Sequence, residues 1–466
     1  MKTPREQTLA ERPHRLPVGL KLGFGIADLG GNLFFTMMGF YLLAFLTDTF
    51  GIAAGAAGTA LFIGKVWDAV TDPAVGHISD RTRTRWGRRR PYMAVGAILL
   101  FVSMILMFTN PSIGGQTARF IWVTVVYCFL NTAYTLVNIP YGSLTPELTS
   151  DFDERTSLNG YRMSFAVVGT LVGAGAVLPL VAAFGGGDAG WTATGAVMGA
   201  LMAVVTLITV VTVKEKRVSE RAPKVNVFKS YIEVLGMKTF LTALVPYALH
   251  IAGVTVIQAS LIYFFRYVYG DEAQFTFALM FLLVVSLIFI PIWVRVSKSI
   301  GKRLSYNIGM LIFAGAVLLF FAIGASLPVW FSFVIFAIAG TGFATNYVMP
   351  FSMIPDVIEY DFAENGTRRE GIFYGMWTFV SKIGQAFALA LSGWVLALFG
   401  YIAPTAAVPD PAQGDLTILG IRLLTGPVPA LFFIAGVIVL SYYPITHEKY
   451  QEILAKSQAR SQAQTG

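Results

Sequence analysis

Apolar positions in this chain fall into twelve long runs, at approximately 22–46, 52–78, 92–109, 118–140, 162–184, 191–213, 238–266, 274–295, 303–325, 328–350, 370–399 and 418–443. Most reach about 20 residues, the length a helix needs to cross a hydrocarbon core about 30 Å thick. They are unbroken and rich in Leu, Ala, Phe and Gly, unlike the short alternating segments of a membrane barrel. The pattern predicts an all-α membrane protein of twelve transmembrane helices. An even number places both termini on one side. The first run lacks a small-residue cleavage motif and exceeds a signal-peptide core, so it is expected to be retained as a span.

Lysine and arginine then orient the chain. The N-terminal tail carries Lys2, Arg5, Arg12, Arg15 and Lys21, and the connection between spans 2 and 3 carries Arg81, Arg83, Arg85, Arg88, Arg89 and Arg90. On the opposite side only Arg119, Arg266 and Arg422 occur, while Lys65 and Lys382 lie inside spans. By the positive-inside rule both termini are expected to be cytoplasmic.

Composition agrees. Of 466 residues, 55% are apolar and only 13% charged, with a mean hydropathy of +0.66; soluble domains carry about a quarter charged residues. An ordinary soluble enzyme and a disordered chain are both excluded. The net charge of +8 belongs to topology, and no nucleic-acid partner is expected. The single cysteine, Cys128, permits no intrachain disulfide, and histidines at 14, 77, 250 and 447 have no metal-ligand spacing. No Gly-rich phosphate loop, paired His–Glu motif or Ser–Lys dyad is evident, so neither an enzyme nor a primary pump is expected, and no cofactor beyond a coupling ion.

A charged segment divides the chain into six spans and six. The expected organisation is a tail over 1–21, a six-helix bundle over 22–213, a cytoplasmic loop over 214–237, a second bundle over 238–443 and a tail over 444–466. The Val225–Leu235 stretch has the pattern of an amphipathic interfacial helix. The halves echo each other: Asn138-Ile-Pro140 to Pro146-Glu147 after span 4 is matched by Tyr347-Val-Met-Pro350 to Pro355-Asp356 after span 10. Gly87-Arg88-Arg89 is likewise matched by Gly301-Lys302-Arg303. An internal repeat of six-helix halves is the build of alternating-access transporters.

Charges at bilayer depth cost at least about 2.5–3.5 kcal/mol, so each is a functional candidate. Counting 1.5 Å per residue, Asp68 lies roughly 18 Å and Asp72 roughly 12 Å inward of Asp80. Their i,i+4 spacing puts both carboxylates on one helix face, which Lys65 and the Thr71 hydroxyl join. Lys382 in span 11 is again near mid-depth, and Asp28 in span 1 lies about 10 Å in. Three carboxylates against two ammonium groups leave one negative charge, which a proton or a sodium ion would neutralise. Asp68 and Asp72 are the candidate Na+ ligands, with Thr71, Thr135 and Asn138 as oxygen donors. The structural alternative is a permanent salt-bridge network, such as Lys65 with Asp68. Asp28, Asn32, Tyr134, Asn138, Tyr141, Arg162, Trp377, Lys382 and Gln385 would suit substrate hydroxyls, although each aromatic alone is better explained by packing and Asn32 equally well by an interhelical contact. Asp80 is a candidate clamp for arginine near Arg88 and Arg89, and His250 a candidate hydrogen-bonded helix contact.

The string Lys65-Val-Trp67-Asp68-Ala-Val-Thr71-Asp72-Pro73, followed by Gly76-His-Ile-Ser-Asp80-Arg and Trp86-Gly87-Arg88-Arg89-Arg90-Pro91, resembles the glycoside–pentoside–hexuronide:cation symporters. These are a branch of the major facilitator superfamily, which includes melibiose permease. Tyr134-Thr135 to Asn138-Ile-Pro140-Tyr141-Gly142 and Arg369-Glu370-Gly371 to Lys382-Ile-Gly384-Gln385 extend the match through both halves. The resemblance implies two six-helix bundles, cation-binding roles for Asp68, Asp72 and Thr135, a sugar contact at Arg162 and a linking role for Lys382. Melibiose-type members carry carboxylates at the positions of Asn32 and Asn138 and tryptophan at Gly142, so a different sugar preference is implied. Animal relatives with these motifs carry lysophospholipids.

The expected function is secondary active symport of a sugar, glycoside or sugar acid with Na+ or H+, by a monomer in a bacterial inner membrane. Lys65, Lys382, Asp80, Arg88 and Arg89 are the expected coupling and gating groups. The alternatives are a cation-coupled lysolipid or amphiphile carrier, and a membrane sensor that binds ligand without moving it.

Overall fold

The computed structural model describes residues 16–149, 151–215, 227–367, 369–405, 408 and 411–465. Lys2, Arg5, Arg12, Arg15, Arg368 and the stretch 216–226 of the central segment lie outside the described residues. Every one of the twelve apolar runs falls on helix. In chain order these are α1 (Val18–Gly25), α2 (Ala27–Phe40) and α3 (Leu42–Ala44), the last continued by a π-helical turn at Phe45–Thr49; then α4 (Ala54–Arg81), α5 (Arg90–Met107), α6 (Gln116–Leu148), α7 (Phe152–Ala183) and α8 (Gly187–Thr212). A short α9 (Val227–Leu235) precedes α10 (Lys238–Tyr267), α11 (Ala273–Ile300), α12 (Lys302–Ile323), α13 (Val329–Asn365), α14 (Glu370–Leu398), α15 (Asp415–Thr425), α16 (Pro427–Leu440) and α17 (His447–Thr465). No β-strand occurs among the described residues.

Ten described segments are long and apolar enough to span a membrane, one of them α15 and α16 together as Asp415–Leu440, and the pair Val18–Phe40 and Leu42–Thr49, bent by 48°, makes an eleventh. The remaining run is α4, whose 28 residues are ample in length. What sets α4 apart is the charge in its interior: Lys65, Asp68 and Asp72.

Several helices outrun their apolar runs. α6 passes through Pro140 to Leu148, and α13 through Pro350 and Pro355 to Asn365. Apolarity stops at the membrane edge, but a helix stops where its terminal backbone groups find other partners. α13 ends at Gly366, left-handed at φ 72°, and α7 begins where the Asp151 carboxylate accepts from the Glu154 N–H at 2.8 Å.

Contacts group the chain into two compact units. The first holds Met1–Met37, Val70–Thr109 and Val126–Glu220; the second holds Met38–Ala69, Asn110–Val125 and Arg221–Gly466. In the first, Phe24, Met93, Tyr141, Leu144, Leu158 and Val210 form a buried core. There α2 and α7 pack backbone to backbone: a Cβ at Gly169 would stand 2.2 Å from the Leu29 carbonyl oxygen. Such close approach through small residues drives helix association in lipid, where the hydrophobic effect offers little.

In the second unit, α4 and α14 meet in the same way, a Cβ at Gly393 falling 2.7 Å from Gly58 Cα. His250 of α10 does not form the hydrogen bond expected of it. Its ring stacks on Tyr306 at 5.5 Å and packs edge-on to Phe433 at 5.2 Å, and neither ring nitrogen has a hydrogen-bond partner among the described residues. Of the amphipathic stretch expected over Val225–Leu235, the described part is helical as α9, where Glu233 pairs with Arg369 at 3.0 Å. α17 packs along the end of α13, its Arg460 donating to the Ala363 carbonyl at 2.7 Å.

Candidate transport site

α4 delivers Asp68 and Asp72 one turn apart. Asp68 is almost wholly buried and belongs to the second unit. The Lys382 Nζ of α14 lies 2.8 Å from its Oδ2, and the Lys65 Nζ lies 3.4 Å away. One carboxylate thus neutralises one ammonium, and the second keeps the trio net positive. Two ammonium groups sharing a carboxylate repel each other in a weakly screening interior.

Asp72, in the first unit, accepts from the Thr135 hydroxyl of α6 at 3.0 Å. Asn138 is half-buried three residues further along α6, and Thr71 is half-buried beside Asp72. Carboxylate and hydroxyl oxygens are the donor set of a hard monovalent cation, and a carboxylate alone suffices for a proton.

The second constellation lies within the first unit. The Arg162 guanidinium grips Asp28 with two nitrogens, Nε to Oδ2 at 2.6 Å and Nη2 to Oδ1 at 3.2 Å. The Tyr141 hydroxyl donates to the same carboxylate at 2.5 Å, and the guanidinium lies over the Tyr141 ring at 4.8 Å. α2, α6 and α7 supply one group each. A two-point Arg–carboxylate pair fixes geometry as well as charge. It also corrects the charge tally drawn from the sequence, which left Arg162 out. Three carboxylates face three cations, so no net negative charge is left among them.

Not every candidate joins these clusters. Asn32 turns its amide to the Asp28 backbone carbonyl at 2.9 Å, a contact within its own helix. Tyr134 stacks on Phe34 at 4.2 Å, and Trp377 on Tyr247 at 4.6 Å, both deeply buried. Gln385 is half-buried one turn beyond Lys382.

The span 2–3 connection is a charge cluster. Arg88 pairs with Glu147, and Arg89 with both Glu147 at 2.9 Å and Asp80 at 3.0 Å. The Glu215 carboxylate accepts the backbone N–H groups of Arg88, Arg89 and Arg90 at 2.7–2.9 Å. Burial acts most strongly on the Arg88 guanidinium and lowers its pKa, but the hydrogen bond it donates to Glu147, together with the negative charges of Glu147, Asp80 and Glu215, leaves the pKa raised. The second unit repeats the pairing, with Lys302 Nζ 2.6 Å from Asp356. Glu147 and Asp356 are not among the expected site residues, although the sequence repeat aligns them behind Pro146 and Pro355.

Buried carboxylates held by lysine and arginine on apolar helices, with a charged connection doubled in the second half, define a many-span membrane transporter. The sequence matches the MFS/sugar transport protein family over residues 23–447, and the chain belongs to that family. It is a transporter, not an enzyme, with the major facilitator superfamily fold. A glucuronide carrier protein homologue of Escherichia coli K12 is 30% identical over 95% of this chain and 96% of its own length. An isoprimeverose transporter of Lactiplantibacillus pentosus is 30% identical, covering 92% of this chain and 89% of its own. Among solved structures the nucleoside transporter NupG superposes with a TM-score of 0.65 at 12% identity, over 91% of this chain and 99% of that one. The resemblance to cation-coupled sugar symporters read from the motifs is borne out.

Proposed function

We propose that this chain is a secondary active symporter that carries a sugar, glycoside or sugar acid across a bacterial inner membrane together with Na+ or H+. The observation that carries this reading is the Lys382 ammonium on Asp68, one helical turn from Asp72 and its Thr135 partner. Lysine stands in for the cation there. An arriving ion takes carboxylate oxygens that an ammonium held, and the released Lys382 becomes available to substrate oxygens. Empty of both, the site keeps its lysine. That competition ties substrate binding to ion binding without any net charge deficit.

In the first unit, Arg162 with Asp28 and Tyr141 offers donors and an acceptor to ring hydroxyls, and a guanidinium to a sugar carboxylate. In the second, Lys382 keeps the linking role that the resemblance implies, and Trp377 and Gln385 remain candidates for substrate hydroxyls by their chemistry. The segmental organisation follows the repeat: halves over 22–213 and 238–443 joined by 214–237, with cytoplasmic tails over 1–21 and 444–466, acting as a monomer by alternating access. Asp80, Arg88 and Arg89 work at the cytoplasmic end of that cycle.

The test is uptake by reconstituted vesicles offered pentosides, glycosides and hexuronates under an imposed Na+ or H+ gradient. One of the two gradients is expected to drive accumulation, and Asp72→Asn to abolish its effect. Equal uptake with and without either gradient would refute the reading.

A further inference from the structure

At the far end of span 1 a second buried carboxylate serves neither constellation described above. Asp48 lies on the π-helical turn Phe45–Thr49, its side chain almost fully buried. Arg266 Nη1 approaches its Oδ2 at 3.0 Å, and the Tyr267 hydroxyl approaches the same oxygen at 3.3 Å. Its Oδ1 accepts from the Tyr401 hydroxyl and from Thr47. The Tyr267 and Tyr401 hydroxyls are 2.9 Å apart, and Thr47 meets Tyr263 at 2.7 Å. One carboxylate therefore gathers the ends of spans 1, 7 and 11, all within the second unit. Spans 1, 7 and 11 are all odd-numbered, so in the topology proposed above their far ends share one membrane face.

We propose that Asp48 with Arg266, Tyr267 and Tyr401 is a latch that holds this face of the transporter closed and must release once in each cycle. The proposal rests on the alternating-access reading above and adds the device that gates the outer face. Three observations favour a latch over a static brace. First, the segment after Asp48 is already secured without spans 7 and 11: Arg119 donates to the Gly51 carbonyl at 2.6 Å, and Gln116 bonds Ala53 and Gly51 at 2.9 and 3.1 Å. Second, a buried ion pair adds little over apolar packing, and its best-attested use is in registry and switching. Third, Arg266 has somewhere to go. Glu272, half-exposed on the adjoining loop, stands 3.9 Å away and can take the guanidinium when Asp48 withdraws. The π-turn that carries Asp48, beside the 48° break in span 1, is the kind of irregular backbone found at functional sites.

Spin labels test this without any substrate. With Cys128 replaced by alanine, labels at Thr117→Cys and Ala273→Cys, both exposed on this face, report its opening as a distance distribution. In Asp48→Asn the ratio of long to short distances is expected to rise about tenfold, and in Tyr401→Phe about threefold, as befits loss of a charged and of a neutral hydrogen-bond partner. A folded Asp48→Asn protein with the unaltered distribution overturns the latch. Should that variant not fold, an unaltered distribution in Tyr401→Phe does so. If distances respond as expected but no sugar accumulates in vesicles of the unmodified protein, the latch stands and the symport reading fails.

Discussion

The Lys382 ammonium of α14 sits 2.8 Å from the Asp68 carboxylate of α4, closer than the Lys65 ammonium that shares Asp68's own helix. The local partner is the one the sequence suggests; the nearer partner comes from more than three hundred residues away. In the symport reading proposed above, the coupling ion needs the oxygens that Lys382 occupies, and the two compete. Lys382→Met is therefore expected to tighten ion binding about tenfold, a gain of about 1.4 kcal/mol, while abolishing uphill transport. Ion titration by calorimetry on the purified variant decides; weaker ion binding would contradict competition.

Thr135 contributes one hydroxyl to Asp72. Thr135→Ala is expected to lower apparent ion affinity roughly five- to tenfold, the worth of one hydrogen bond to a charged site, and Thr135→Ser to restore most of it. The concentration of ion giving half-maximal uptake reads this directly.

The Arg162–Asp28 pair uses two nitrogens of one planar group. Arg162→Lys keeps the charge but not the fork, and is expected to weaken substrate binding at least about tenfold while leaving ion binding within about twofold. Asp28→Asn strands the guanidinium in a partly buried site, a change worth about 3–5 kcal/mol when an ion pair is broken on one side only. It should lower the melting temperature in detergent, which Arg162→Lys should not.

Gly58 and Gly393 let α4 and α14 touch, a Cβ on Gly58 falling 2.8 Å from the Ala390 carbonyl oxygen. Gly58→Val is expected to destabilise the protein by about 1–3 kcal/mol, the usual cost of overpacking. Since this crossing also sets the reach of Lys382 to Asp68, the same variant should lose gradient-driven uptake. Melting temperature and uptake, measured together, test whether the two move in step.

Much of this protein was legible in its sequence because the bilayer imposes a simple rule. Every stretch crossing it must satisfy its own backbone hydrogen bonds, so apolar length alone locates the helices. The charges within α4 and α14 stood out for the same reason: Lys65, Asp68, Asp72 and Lys382 cost too much at that depth to be incidental. The repeat of Gly87-Arg88-Arg89 in Gly301-Lys302-Arg303 likewise foreshadowed the matched ion pairs to Glu147 and Asp356.

Partnership was decided only by the tertiary structure. Sequence spacing shows which groups share a helix face, as with Lys65 and Asp68, but carries no information on which faces meet. That Arg162 belongs to Asp28, so that the intramembrane charges balance, follows from how α2, α6 and α7 pack. Asp48 is the sharpest case. Near the end of an apolar run it reads as an ordinary boundary residue, and only the approach of Arg266, Tyr267 and Tyr401 turns it into a buried junction. The reason is physical: secondary structure in a membrane is dictated by local solvation, whereas ion pairs between helices depend on contacts that no single segment encodes.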